Sequence, residues 1–218
     1  MLKEINAVTN YLVIEGFADD QNYPFANEGS GTTLIRFPSQ LEFSSFLKEE
    51  PYRNVYLSQL EARAFNIRML DGALIQMLYE FDNNTDSLVR SRLAFLPAPD
   101  LLHFQDNPDL YEDELLYADV IDQRVVTVPF RFDFDDRPNI PVPVSHPVAH
   151  LTLGQYSGCR IPATSAPTPY LFMLFVLRSF YNTAFSNIAA DLPTQAHRFP
   201  ACIHADERRV IHVGVPLS

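Results

Sequence analysis

Apolar residues recur at three-to-four spacing through the first segment, at Leu2, Ile5, Val8 and the Tyr11/Leu12 pair. This predicts an amphipathic helix over residues 2–17 with one stripe turned towards a core. Residues 18–31, rich in Asp, Asn, Gly and Ser, read as loop; a short strand at 32–37 follows and ends at Pro38, and Ser39 then offers an N-cap for a short helix to residue 48. The period changes to two in the middle of the chain. Residues 64–70, 73–81 and 87–96 alternate, with Asp71-Gly72 suited to a tight hairpin turn and Asn83-Asn84-Thr85-Asp86 forming a second one, which predicts a three-stranded antiparallel meander. A proline-punctuated connection over 97–122, with a helical turn or two at 109–117, leads to strands at 124–135 and 150–156 on either side of the proline-rich loop 137–144. Beyond Pro162, Ser165 or Thr168 caps an apolar helix running from 169 to about 190, whose first-turn proline is well tolerated, and a last strand at 209–215 closes the chain.

The expected fold is α+β: an antiparallel sheet of five to six strands with a meander core, a long hydrophobic C-terminal helix packed on one face, and an N-terminal helix. A single domain spans 1–218. It divides into a helical part at 1–50, the sheet at 52–162 with the inserted loop 97–122, the helix at 165–190 and the final strand at 209–215.

Strand parity sorts side chains onto opposite faces. Phe130, Phe132 and Phe134 share one face with Ile75, Met77, Tyr79, Leu93, Phe95 and Leu151, and belong against the helix. The other face carries Gln76, Glu80, Arg92, Arg131, Asp133, His150 and Thr152. Such a face is either a solvated sheet surface whose arginines and aspartates pair across strands, or a polar site.

Composition sharpens that choice. The chain has 218 residues, 47% of them hydrophobic, enough for one core without disulfides. Its net charge of −11 excludes a broad, nonspecific grip on nucleic acid, yet its positive charge is almost all arginine, the lysines being Lys3 and Lys48 alone. A local arginine patch can escape that average. Cys159 and Cys202 form neither a metal-ligand spacing nor a disulfide framework, the N-terminal segment lacks the apolar core of a signal peptide, and the apolar run at 170–176 is too short for a bilayer. We therefore expect a cytoplasmic protein with no membrane association, no metal and no cofactor.

The densest chemistry lies in Ser145-His146-Pro147-Val148-Ala149-His150, followed by Cys159-Arg160-Ile161-Pro162. In extended backbone the two histidines lie about 13 Å apart, at roughly 3.3 Å per residue, too far to share a metal; only a helical turn capped by Ser145, with Pro147 in its first turn, would set them on one face. Either is a candidate general acid or base, with Arg92, Arg131, Asp133, Gln76 and Arg160 as candidate phosphate or ligand contacts. Cys159 reads as a small structural thiol, since no nucleophile-elbow spacing surrounds it. There is no phosphate-cradling glycine loop, no H-E-x-x-H and no Cys-x-x-Cys, which sets aside nucleoside-triphosphatase, zincin and zinc-ribbon chemistry.

The segments MLDGALIQMLYEF (residues 69–81), RLAFLPAP (92–99), VPFRFDFD (128–135) and HPVAHLTLGQYSGCRIP (146–162), with the helix ending LRSFYN, resemble the bacterial domain-of-unknown-function family numbered 2290. The resemblance runs from about residue 52 to 182, its most specific part being the His-Pro-x-x-His run. It implies a bacterial cytosolic protein and lends no catalytic residue. Two functional readings follow. One is an accessory or binding subunit of a stress or phage-defence operon, acting through contacts with an operon-encoded protein or a second copy of itself. The other is a metal-independent, toxin-like ribonuclease or phosphodiesterase using the histidines and arginines of the polar face, or a nucleotide sensor, with a phosphate-bearing small ligand or RNA as its partner.

Overall fold

A computed structural model describes residues 1–39, 50–101, 108–109, 127–155, 158–194 and 196–217. Its centre is an antiparallel sheet in which nine strands take part among the described residues. They are β1 (Ala18–Gln21), β2 (Phe25–Glu28), β3 (Thr32–Arg36), β4 (Ile67–Met69), β5 (Leu74–Asp82), β6 (Leu88–Leu96), β7 (Phe130–Asp135), β8 (Ala149–Leu153) and the two-residue β9 (Ile161–Pro162). The main path is β1-β4-β5-β6-β7-β8-β9. One long edge of β5 is shared: β4 pairs with its start and β3, carrying β2, with its end. Among the described residues four α-helices accompany the sheet: α1 (Leu2–Ile14), α2 (Tyr52–Glu61), α3 (Pro169–Phe180) and α4 (Asn182–Ile188).

The β4–β5 hairpin shows how local chemistry fixes the register. Gly72 takes φ +84°, which only glycine adopts cheaply, while the Asp71 carboxylate accepts from the Ala73 amide at 3.0 Å. The following strands then place Ile75, Met77, Tyr79, Leu93, Phe95, Phe130 and Phe132 on one face, where they pack with the buried stripes of α1 (Ile5, Val8, Leu12) and α3 (Phe172, Met173, Val176). Thr168 caps α3 by accepting from the Leu171 amide, with Pro169 in the first turn.

The sheet is larger than the five to six strands expected. The polar segment 18–31 supplies β1 and β2, whose ladders form with β4 and β3 although no residue of either strand is buried. A strand without a buried face leaves no apolar alternation to read. The sheet also does not begin at residue 52, where α2 stands instead. Val55 and Tyr56 of α2 pack with Phe65, Leu74 and Leu96, so this helix covers one end of the polar face.

The expected long C-terminal helix is two helices. The break is Tyr181, with φ −133° and ψ 62°, whose hydroxyl donates to the buried Asp71 carboxylate at 2.7 Å. Apolar periodicity continues across the break because both helices bury residues in one core, and periodicity alone does not register a change of axis. The expected strand at 209–215 is absent: a single 3-10 turn covers Glu207–Arg209, and one parallel bridge joins Val213 to Ala163. The helix expected at 39–48, the helical turns at 109–117 and residues 124–126 of the strand expected at 124–135 lie outside the described residues, apart from isolated positions at their ends, while residues 127–129 are not strand, which begins at Phe130.

Candidate functional site

The antiparallel register aligns one rung of the polar face: Arg92 on β6 opposes Asp133 on β7, which opposes His150 on β8. Arg131 stands on the next rung, beside Thr152. Asp133 ties the group together, accepting from Arg92 Nε on Oδ1 and from Arg131 Nε on Oδ2, each at 2.6 Å. His150 Nε2 lies 3.8 Å from that same Oδ2. Arg131 and His150 are each only 3% exposed. Burial pushes the Asp133 carboxyl up, but Arg92, Arg131 and His150 outweigh it and hold it below its usual range. Burial likewise pulls the Arg131 guanidinium down, opposed by Asp133.

The histidines are brought together by a turn, but not by the helical one that Ser145 could cap. Val142 and His146 form a bridge around Pro143-Val144-Ser145, with Val144 at φ +68°. A β-branched residue there is strained, and the buried Glu207 holds it by accepting from the Val144 amide at 3.1 Å while also accepting from the His204 amide at 2.8 Å. The strand proper starts at Ala149. The two imidazoles therefore sit edge to face with ring centroids 5.4 Å apart, in place of the 13 Å separation of extended chain. The Pro147 carbonyl can only accept, so His150 Nδ1 donates to it at 2.9 Å and Nε2 carries the lone pair of the neutral ring. Burial lowers the basicity of both rings; Arg160 adds to it, while Asp133 opposes it.

These side chains line one cavity of about 300 Å³. Arg92, Arg131, Asp133, His146, His150 and Arg160 all reach it, and Arg90, Arg137, Asp135 and Ile140 complete the wall. Arg160 donates to the Ser145 carbonyl at 3.3 Å and makes no ion pair among the described residues. Arg137 pairs with Asp135 at 2.6 Å, and Arg90 with Glu80 at 2.8 Å. Five arginines thus face two aspartates in a chain whose total charge is −11.

Gln76 does not join them. Its amide donates to Gln59 Oε1 at 2.9 Å and to the Ala64 carbonyl at 2.5 Å beneath α2, which makes it part of that helix's docking. Cys159 is half-buried and does not line the cavity. Parity sets Arg90 on the same face as Arg92, although Arg90 was not among the nominated site residues; Arg137 lies beyond the strand in a loop where parity carries no information. A larger cavity of about 700 Å³, walled partly by Glu28, Asp82 and Asp86, lies elsewhere, and none of the residues nominated from parity reaches it. Among the described residues no group of three or more His, Cys, Asp and Glu side chains is placed to hold a metal ion, and no helix is long and apolar enough to cross a membrane.

Fold and pocket together define an α+β protein that carries a basic, histidine-bearing cavity on one face of a large antiparallel sheet. The chain belongs to the family described as an uncharacterized conserved protein, DUF2290, whose sequence model matches residues 17–215. No curated protein and no solved structure matches it.

Proposed function

We propose that the protein binds a phosphate-bearing ligand, such as a nucleotide or an RNA segment, in the basic pocket of its sheet. The observation that supports this is convergence: Arg92, Arg131, His146, His150 and Arg160, carried by β6, β7, β8 and the turns that flank β8, wall a single cavity. Guanidinium groups match phosphate oxygens in pairs, and a recessed cluster of them strengthens each contact by excluding water. Asp133 orients Arg92 and Arg131, while Arg160 has a guanidinium not committed to any carboxylate among the described residues. A cavity of this size suits one nucleotide unit. The wider setting, a cytoplasmic bacterial protein serving as an accessory or binding subunit of a stress or phage-defence operon, rests on the acidic composition and the family, and the pocket supplies its ligand.

Thermal denaturation tests the reading. Inorganic phosphate, nucleoside 5′-phosphates and a short oligoribonucleotide are added in turn; at a concentration 100-fold above its Kd a ligand stabilises by about 2.7 kcal/mol. We expect a concentration-dependent rise in Tm with at least one of them, and its loss in Arg160→Ala. No rise with any of the three overturns the proposal.

A further inference from the structure

We propose that the pocket cleaves RNA by activating a ribose 2′-hydroxyl, with His150 as general base and His146 as general acid. This inference rests on the phosphate-binding reading and adds a reaction to it.

Displacement at a phosphodiester needs a proton removed from the nucleophile and another delivered to the leaving oxygen on the opposite side of phosphorus. Two imidazoles lining one cavity, with ring centroids 5.4 Å apart, bring a base and an acid within reach of one bound phosphodiester. Their environments differ. His150 is buried, with Nδ1 committed to the Pro147 carbonyl, so its Nε2 is the available base, and Asp133 3.8 Å away stabilises the imidazolium formed when that nitrogen takes a proton. His146 is half-exposed beside Arg160, where a bound phosphate anion favours its charged, proton-donating form. Arg160 and the arginines held by Asp133 face the phosphoryl oxygens on which negative charge grows.

The nucleophile follows from what the remaining groups are doing. Both carboxylates of the cavity are engaged by guanidinium groups, Asp133 by Arg92 and Arg131 and Asp135 by Arg137, which leaves imidazole as the base. A weak base suffices where the nucleophile is already held against phosphorus, because an intramolecular hydroxyl enjoys effective molarities of roughly 10⁵–10⁸ M. RNA carries that hydroxyl and DNA does not. The 2′-oxygen forms a bond to phosphorus as its proton passes to His150 Nε2; the P–O5′ bond breaks, its electron pair stays on O5′, and His146 protonates that oxygen. The products are a 2′,3′-cyclic phosphate and a 5′-hydroxyl, and proton exchange with solvent resets both rings.

The experiment uses the full chain with three end-labelled strands of one mixed sequence: RNA, DNA, and RNA methylated at every 2′-oxygen, each with EDTA present. Cleavage of the RNA alone is expected, with a cyclic phosphate identified by mass spectrometry. His146→Ala and His150→Gln, purified identically, should each lose roughly 10²–10⁴-fold in rate. His146 is half-exposed, so its variant is expected to fold even where the buried His150 variant does not. Cleavage of DNA, cleavage that requires added Mg²⁺, or full activity in His146→Ala overturns the proposal. If RNA raises Tm and stays intact, the reaction is refuted and the binding reading stands; if RNA neither raises Tm nor is cut while a nucleotide raises Tm, the reaction falls alone; with no Tm rise from any ligand and no cleavage, both fall.

Discussion

The two faces of the β6–β7–β8 ribbon are made from alternate residues of the same three strands, yet they are held by different physics. On one, Leu93, Phe95, Phe130, Phe132 and Leu151 meet α3 and the rest of the helical layer, and every contact is favourable by area removed from water. On the other, Arg92, Arg131, Asp133 and His150 are nearly as buried, and their mutual attraction is set against the cost of stripping water from charges. Such pairs are often no better for stability than apolar residues of the same volume. The alternative is visible on the same face: Leu74 and Leu96 lie under α2 and are packed with ordinary apolar contacts. The charged end of the face is therefore poorly explained by folding stability, and it is the end to which the proposed phosphate-bearing ligand is assigned.

Truncation breaks the comparison most violently on the apolar side. Phe130 is 1% exposed and its ring meets Phe95, Phe175 and Phe180 at centroid distances of 5.5, 5.3 and 5.6 Å. Phe130→Ala should cost about 3–5 kcal/mol, through lost burial and the cavity left behind. Urea denaturation should show the midpoint falling at unchanged slope, and added phosphate should recover no more than it gives the wild type.

Asp133→Ala attacks the polar side and should cost about 3 kcal/mol, since it removes a buried carboxylate to which both Arg92 and Arg131 donate. Here an anion can stand in for what was removed. Phosphate or sulfate should restore a larger part of the loss than any gain it gives the wild type, and the absence of that extra rescue would show that the carboxylate is not seated where anions bind. Replacing Arg92, Arg131 and Asp133 together by Leu, Met and Leu should be close to neutral for stability and should abolish ligand binding.

The asymmetry between the faces also explains what could be seen in advance. Parity placed Arg92, Arg131, Asp133 and His150 on one face because a two-residue period survives wherever the opposite face is buried, as in FRFDFD. It was blind at β1 and β2, which have no buried side, and at Gln76, where it gave the right face but not the helix α2 that covers it. Proximity of His146 to His150 was beyond it altogether. That contact depends on a turn with Val144 at positive φ, held by Glu207 from more than sixty residues away, and no local signal marks a β-branched residue for that conformation. The break at Tyr181 is similar: it is fixed by a hydroxyl reaching Asp71, a partner 110 positions earlier.

The smallest of the expected effects concerns pH, and it separates the imidazole of the polar face from its carboxylate. Burial, with His146 and Arg160 adding to it and Asp133 and the Pro147 carbonyl opposing it, lowers the His150 pKa below its ordinary 6.5. The unfolded chain then takes up a proton before the folded one does, so stability is lost as pH falls below about 6.5 and the loss stops once the folded ring is also protonated. Asp133 moves the other way. Its folded pKa is held below the usual 3.8, so its contribution persists through that first window and disappears only as pH drops through the lower folded value. Melting curves between pH 7.5 and 5 should therefore slope downward on acidification for the wild type and less steeply for His150→Gln. Phosphate should flatten the wild-type slope, because an anion in the cavity stabilises the imidazolium that burial disfavours. A slope identical in both proteins would mean that His150 titrates in the fold as it does in the unfolded chain, and the contrast between the two faces would then owe nothing to this histidine.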